Sequence, residues 1–333
     1  MYQIKRLPED FIVKEISSVN VEQSGQYAYF LMRKTNFSTV NALQAMSKRL
    51  GIPLKSFGFA GNKDKNAVTE QKISIFRGSR NLEGCQFNNI ELEYLGNGKN
   101  PISLGDLEGN EFTITIRNLD DEIKKIRQLE KKKIKIPNLY GPQRFSMNNH
   151  LVGKAIIKRD FKKAVELIFE NKGNTEEIIN EYLKSNKNNY VEALRLIPLK
   201  TRKLFVHSYQ SFLFNKIIEE SIKNKKQSKN LKIPIIGFSF EISSVKNKIL
   251  KDIIKKILEE EKITPREFII NQMPELSSEG AKRNLFFELN NLKIIGIEND
   301  ELNENKKKLR INFTLQKSCY ATVALEFALR QAP

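Results

Sequence analysis

Through the first third of the chain, apolar residues recur mainly at every second position, the period of a strand with one buried face. The segment Leu7–Ile16 (LPEDFIVKEI) alternates Phe11, Val13 and Glu15 with Ile12, Lys14 and Ile16, which predicts a strand entered through a Pro8-Glu9-Asp10 turn. Tyr27–Lys34 (YAYFLMRK) is apolar on both faces, as a central strand would be. Val68–Phe76, Ile90–Leu95 and Glu111–Arg117 are further strands, the last placing Phe112, Ile114 and Ile116 on one face. One helix interrupts them: Ser38 or Thr39 caps it, Val40, Leu43, Met46 and Leu50 follow the helical period, and Gly51 stops it. A second helix is expected after Asp120 and Asp121, carrying Ile123, Ile126 and Leu129 and ending in the basic run Lys131-Lys132-Lys133.

From His150 to about Leu258 the period changes to that of helices, as in Phe205, Tyr209, Phe212, Leu213 and Ile217 and again across Ile249–Leu258. The polar run Lys223–Lys232 reads as a solvated connection. Near the C-terminus alternation returns in Leu309–Leu315, followed by a helical pattern over Tyr320–Arg330. The expected architecture is therefore α+β and discontinuous: residues 1–147 and 297–333 form a mainly antiparallel sheet with flanking helices, and 148–296 form an inserted, mainly helical domain.

Composition narrows the function classes. Of 333 residues, 40% are hydrophobic and 29% charged, the balance of a globular protein with enough chain for two cores. No run reaches the ~20 apolar residues of a membrane span and the first residues lack the apolar core of a signal peptide, so a cytoplasmic protein with no membrane partner is expected. Fifty-seven Lys and Arg against 39 Asp and Glu leave a formal charge of +18, which favours a polyanionic partner such as nucleic acid. Only two cysteines (Cys85, Cys319) and two histidines (His150, His207) are present, at spacings that match no zinc motif. The cysteines read as buried apolar residues, and no metal is expected.

The sequence contains no G-x-x-x-x-G-K-[ST] phosphate loop, and His207 beside Ser208 on a helix points about 100° away from it, a poor geometry for a nucleophile and its base. Two loops are rich in special residues. In Phe57–Gln71 (FGFAGNKDKNAVTEQ), glycines and Asn62 make a tight turn that carries one acid, Asp64, between Lys63 and Lys65; a plain solvated turn has the same composition. In Pro137–Ser146 (PNLYGPQRFS), two prolines and a glycine stiffen a backbone bearing Asn138, Tyr140, Gln143, Arg144 and Phe145. Here the aromatics could equally plug a core with Arg144 on the surface.

These blocks, with PEDFIVKE (8–15), LGDLEGNEFTITIRN (104–118), YQSFLFN (209–215) and YATVALEF (320–327), give the chain a resemblance to the TruD family of tRNA pseudouridine synthases, in the family's order and over residues 8–327. The resemblance implies a pseudouridine synthase catalytic domain with an inserted TRUD domain. It further implies isomerisation of uridine 13 in the D arm of tRNA, with tRNA as partner and no cofactor; the sequence leaves the oligomeric state open, a monomer being expected. It puts Asp64 at the position of the catalytic aspartate and Lys5 at a basic position that tunes it, while Phe11, Asn138 and Tyr320 fall at positions contacting the target nucleotide. Tyr140 and Arg144 belong to the same substrate-binding block. Three departures accompany it: Ser146 stands where Gly is usual, Gln316–Cys319 replaces Leu-Pro-x-Gly-Ser, and Tyr140 stands where Phe is also common.

The chemistry needs little else. Turning uridine into pseudouridine breaks C1′–N1 and joins C1′ to C5 with no redox change. A carboxylate can attack C1′, stabilise positive charge there, take a ribose proton, or attack C6, and the sequence leaves these open. Two rivals remain: a non-catalytic RNA-binding or RNA-chaperone protein on the same scaffold, whose mark would be loss of the acid, and a glycosidic-bond hydrolase, which would need a second acid that is not identifiable.

Overall fold

The computed structural model describes residues 2–85, 87–120, 130, 134–170, 174–224 and 231–331. The helix expected over Ile123–Leu129, with the basic run after it, and most of the polar run 223–232 lie outside the described residues. The chain divides into two compact units, Met1–Lys135 with Glu288–Pro333, and Ile136–Phe287.

Unit 1 is built on strands β1 (Phe11–Ile16), β2 (Tyr27–Thr35), β3 (Phe57–Phe59), β4 (Val68–Phe76), β5 (Ile90–Gly98) and β6 (Gly109–Leu119). The chain leaves it through β7 (Ile134–Pro137), returns through β10 (Phe286–Asn299) and closes it with β11 (Lys307–Gln316) and helix α8 (Ala321–Gln331). The sheet order is β5-β2-β4-β1-β6-β11-β10-β7, with β3 beside β4. β1 with β4 is parallel, Ile12 facing Val68, while β1–β6, β6–β11, β11–β10, β2–β4, β2–β5 and β3–β4 are antiparallel. That parallel contact sets the start of β1 beside the chain that enters β4. Helix α1 (Thr39–Leu50) forms where the pattern predicts, with the Ser38 hydroxyl accepting from Asn41 N at 3.2 Å and Gly51 ending it at φ +67°. Its Ala42, Leu43 and Met46 pack on Phe30, Met32, Ile73, Ile75 and Leu92, making a dry core on one face of the sheet.

Strand β10 was not legible from periodicity, and the reason is mechanical. Its pairing with β11 slips twice, between Asn290 and Lys293 and between Ile294 and Gly296, so residues on one face do not keep a period of two. Asn291 takes φ +55° within the first slip.

Unit 2 holds α2 (Asn149–Ile157), α3 (Phe161–Phe169), α4 (Asn174–Ser185), α5 (Tyr190–Arg195), α6 (Leu199–Lys223), α7 (Lys248–Glu260) and a hairpin of β8 (Lys232–Ile235) with β9 (Ala281–Asn284). Helix α6 is its axis, burying Phe205, Val206, Tyr209, Leu213, Phe214, Ile217 and Ile218. Helix α2 approaches so closely that a Cβ on Gly153 would lie 2.1 Å from the Phe205 carbonyl oxygen, so only glycine fits there. The expected changeovers at 147/148 and 296/297 lie later than those of the compact units, at 135/136 and 287/288. The loop 137–146 anchors itself on α6, with Tyr140 against Phe214 and Arg144 bonded to Ser211, and so belongs to the helical unit.

Cys85 and Cys319 are half-exposed, in a turn end and in the turn before α8, rather than buried as apolar residues. Among the described residues no group of three or more His, Cys, Asp or Glu is arranged to hold a metal ion, and no helix is long and apolar enough to cross a membrane.

Candidate active site

The acid of the β3–β4 loop sits on a frame that is held from below. Thr39 Oγ1, at the start of α1, accepts from Lys63 N at 2.8 Å and donates to Gln71 Oε1 at 2.8 Å, while Gln71 Nε2 donates to the Gly61 carbonyl at 3.0 Å. Thr39 and Gln71 are fully buried, so the loop backbone is fixed by hydrogen bonds that water does not reach. Lys63 turns inward and pairs with Glu15 of β1 at 2.6 Å, both side chains almost wholly buried. Lys65 stays exposed. Neither lysine beside Asp64 in sequence is its partner.

That partner is Lys5, whose ammonium bonds Asp64 Oδ2. The Asp64 side chain is 42% exposed, so the acid opens to solvent while its counter-ion, 14% exposed, does not. The same ammonium lies 3.9 Å from the centroid of the Phe11 ring. Lys5 adopts φ +58°, a strained conformation for a side chain with a Cβ, and both flanks are clamped. Before it, Gln3 exchanges backbone hydrogen bonds with Arg117 at 2.9 and 2.8 Å. After it, Asp10 accepts from the amides of Arg6 at 3.1 Å and Leu7 at 2.9 Å. Asp10 is locked in turn by Arg117, whose Nε lies 2.9 Å from Oδ2 and whose other nitrogens reach Asp300 at 2.8 Å and Glu301 at 3.0 Å. The hydrogen bond to Asp10 chiefly, with those to Glu301 and Asp300, pushes the Arg117 guanidinium further up from its already high range. One buried arginine thus joins the PED turn, β6 and the β10–β11 turn, and the lysine facing Asp64 hangs from that junction.

From β2, Lys34 reaches the loop from the inside. It is fully buried and donates to the backbone carbonyls of Phe37 and, at 3.1 Å, of Asp64 itself. Burial lowers its pKa to about 8, with the Asp64 charge pulling it up and Lys63 pushing it down.

Phe11 is 3% exposed, its ring lying under Lys5 and edge-on to Phe112 at 6.0 Å. Lys5, Phe11 and Asp64 are therefore together. Tyr320 is half-buried just before α8, its carbonyl accepting from Ala324 N at 3.0 Å.

The other three expected residues share a second cluster, in unit 2. Asn215 of α6 holds the Tyr140 backbone at both ends, Oδ1 accepting from its amide at 2.9 Å and Nδ2 donating to its carbonyl at 3.0 Å. The Tyr140 ring meets Phe214 edge-on at 5.5 Å and lies under the guanidinium groups of Arg283, at 4.1 Å, and Arg144, at 5.5 Å. Arg144 Nε donates to Ser211 Oγ at 3.1 Å. Asn138, 6% exposed, has its amide engaged by Arg283 Nη2 at 2.6 Å and by the Asn284 carbonyl at 3.0 Å, leaving one further position on each amide atom. Ser208 donates to the Arg144 carbonyl at 2.6 Å, a structural use of the hydroxyl beside His207. His207 itself is held below the usual histidine range by burial, then by Arg144 and Lys203.

The family model of tRNA pseudouridine synthase D (TruD) matches residues 2–178, 168–232 and 224–326. The chain belongs to that family. It is 29% identical to the tRNA pseudouridine synthase D of Aquifex aeolicus, covering 97% of each chain, and 30% identical to a probable tRNA pseudouridine synthase D of Methanosarcina acetivorans, covering 99% of this chain and 93% of the relative. The crystal structure of a putative tRNA pseudouridine synthase D (TruD) from Methanosarcina mazei superposes with a TM-score of 0.76 at 27% identity, over 98% of this chain and 93% of that one.

Two of the expected departures from the family pattern fall on turned backbone: Ser146, where the resemblance leads one to expect Gly, takes φ +46°, and Ser318, inside Gln316–Cys319, takes φ +68°. Both lie in the left-handed region that favours glycine, so this chain keeps turned backbones there with residues that strain to make them. Sequence reasoning missed Lys34, Arg117 and Arg283. A lysine in an otherwise apolar strand was the available signal for Lys34.

Proposed function

We propose that this TruD protein isomerises uridine 13 of tRNA to pseudouridine without a cofactor, with Asp64 as nucleophile and Lys5 as the cation that holds it. The observation that supports this best is the Lys5–Asp64 pair itself: an accessible carboxylate on an immobilised loop, with its counter-ion half sheltered on Phe11. On this reading unit 1 is the catalytic domain, unit 2 the inserted TRUD domain, and the position in tRNA follows from family resemblance. Attack of the carboxylate on C1′ forms a C–O bond as uracil leaves with the N1 electron pair. Uracil turns, C5 attacks C1′, the carboxylate departs, and the C5 proton is lost while N1 gains one, so atoms balance and no redox partner enters. Lys5 holds and aims the attacking carboxylate.

Extruding a base from folded tRNA costs a few kcal/mol, which stacking on an aromatic such as Tyr320 offsets by about 1 to 3 kcal/mol. Phe11 is 3% exposed with Lys5 on its ring, so its proposed part is to seat that lysine beside the nucleotide. Asn138, Tyr140 and Arg144 are proposed to bind tRNA, and binding should weaken steeply with salt.

The test is to incubate the protein with unmodified tRNA, adding neither metal nor nucleotide, and map pseudouridine. Conversion at position 13 is expected, with Asp64→Asn slower by about 10⁴-fold or more. Full activity in Asp64→Asn would remove the nucleophile, conversion elsewhere would remove the target, and free uracil would indicate a hydrolase.

A further inference from the structure

Among the described residues of unit 1, Lys34 is the charged residue that is 0% exposed, and a fully buried lysine is rare enough to require a reason. Packing is a poor one. The side chain lies in β2 between Met32, part of the core against α1, and the loop that carries Asp64, where a methionine of similar length could fill the space without burying an ammonium. What the ammonium adds is direction. It donates to two backbone carbonyls, that of Phe37, which precedes α1, and that of Asp64. Of the charges around it, Asp64 favours its charged form and Lys63 opposes it, though Lys63 is itself paired with Glu15.

The strand that carries Lys34 is flanked by β4 and β5, so the donor stands on one of the most constrained parts of the sheet. A bond to the Asp64 carbonyl fixes the peptide following Asp64 and with it the direction of the Cα–Cβ bond. Lys5 fixes the other end, the carboxylate oxygen. The acid is thereby held at two points by two lysines, Lys5 at its carboxylate and Lys34, from within the core, at its backbone.

We infer that Lys34 is a positioning residue of the isomerisation reaction, which holds the Asp64 backbone through its carbonyl so that the carboxylate meets the ribose in one orientation. The inference rests on the proposed role of Asp64. Lys34 touches no substrate, and its effect passes through the acid.

The experiment compares steady-state pseudouridine formation on unmodified tRNA by wild type, Lys34→Met and Lys34→Cys, the last before and after alkylation with bromoethylamine in denaturant and refolding. Alkylation restores an ammonium at the reach of lysine, and wild type treated in the same way controls for Cys85 and Cys319. For Lys34→Met, kcat is expected to fall about 100-fold, the scale of a misplacement near 1 Å, with KM for tRNA within about threefold of wild type. Alkylated Lys34→Cys is expected to regain at least a third of the treated wild-type kcat. A folded Lys34→Met with wild-type kcat overturns the inference, as does a loss confined to KM. Failure of every variant without the ammonium to fold would overturn it too, by assigning Lys34 to the core alone. Absence of pseudouridine with the wild type would instead defeat the proposed reaction, so the two failures are distinct.

Discussion

The Asp64 loop of unit 1 and the Tyr140 loop of unit 2 are made of similar parts, cations beside aromatics on a stiffened turn, yet they spend the charge differently. Around Asp64, charge meets charge: Lys5 with Asp64, Lys63 with Glu15, Arg117 with Asp10 and Asp300. Around Tyr140, Arg283 and Arg144 lie on the ring, and bond to an amide and a hydroxyl. The first arrangement fixes the direction of one carboxylate; the second sets guanidinium groups on a flat ring, a combination suited to bases and phosphates. If that contrast is right, damage to the first should appear in stability and turnover, and damage to the second in binding.

The largest effect should come from Arg117. Replacing it by Met leaves Asp10 and Asp300 as buried carboxylates without their cation, and breaking such a pair costs about 3 to 5 kcal/mol. Urea unfolding of Arg117→Met should show that loss, and at temperatures where the variant is folded, kcat should fall because the clamp on Lys5 is gone. Loss of stability with wild-type turnover would mean that Lys5 finds Asp64 without the clamp.

Next comes the pH dependence of Lys34. Its pKa in the folded protein, about 8, lies below the ordinary lysine value of 10.5. Below pH 8 both states carry the charge and the folded state bears the whole cost of burying it. Between pH 8 and 10.5 the unfolded chain holds the proton that the folded one has lost, so this contribution to stability rises with pH, by about 3 kcal/mol across the window. Burial also lifts Tyr209 above its usual 10, which lowers stability at the alkaline end, so the useful range is pH 8 to 9.5. Unfolding free energy of wild type minus that of Lys34→Met should climb with pH there, and a flat difference would show that the ammonium is not buried as described.

Much of this could be read from the chain before the fold was known, for identifiable reasons. Helix α1 was legible because its cap and stop are local, in Ser38 and Gly51. That Lys5 lies beside Asp64 was expected from the resemblance, and the two are paired. The interactions that aim them were not, because each is a long-range pairing: Arg117 to Asp300, Lys63 to Glu15, Lys34 to a carbonyl thirty residues on. Lys63 illustrates the limit, since its neighbour in sequence is the acid and its partner in space is on another strand. Arg283 was hidden differently, in a four-residue strand with no apolar alternation to mark a face.

The smallest expected effect tests that residue, and with it the other half of the contrast. Arg283 stacks on Tyr140 and Phe214 and anchors the Asn138 amide, so Arg283→Met removes a cation and a ring contact while keeping much of the side chain's volume. Filter binding of unmodified tRNA at fixed salt should show Kd raised about five- to tenfold, the scale of one cation–π contact together with one phosphate-attracting charge, and a slope of log K against log salt shallower by about one. Turnover at saturating tRNA should stay within about twofold. A variant that binds normally and turns over slowly would place Arg283 with the groups that aim the reaction, and the division of labour between an ion-paired site and a cationic aromatic surface would have to be redrawn.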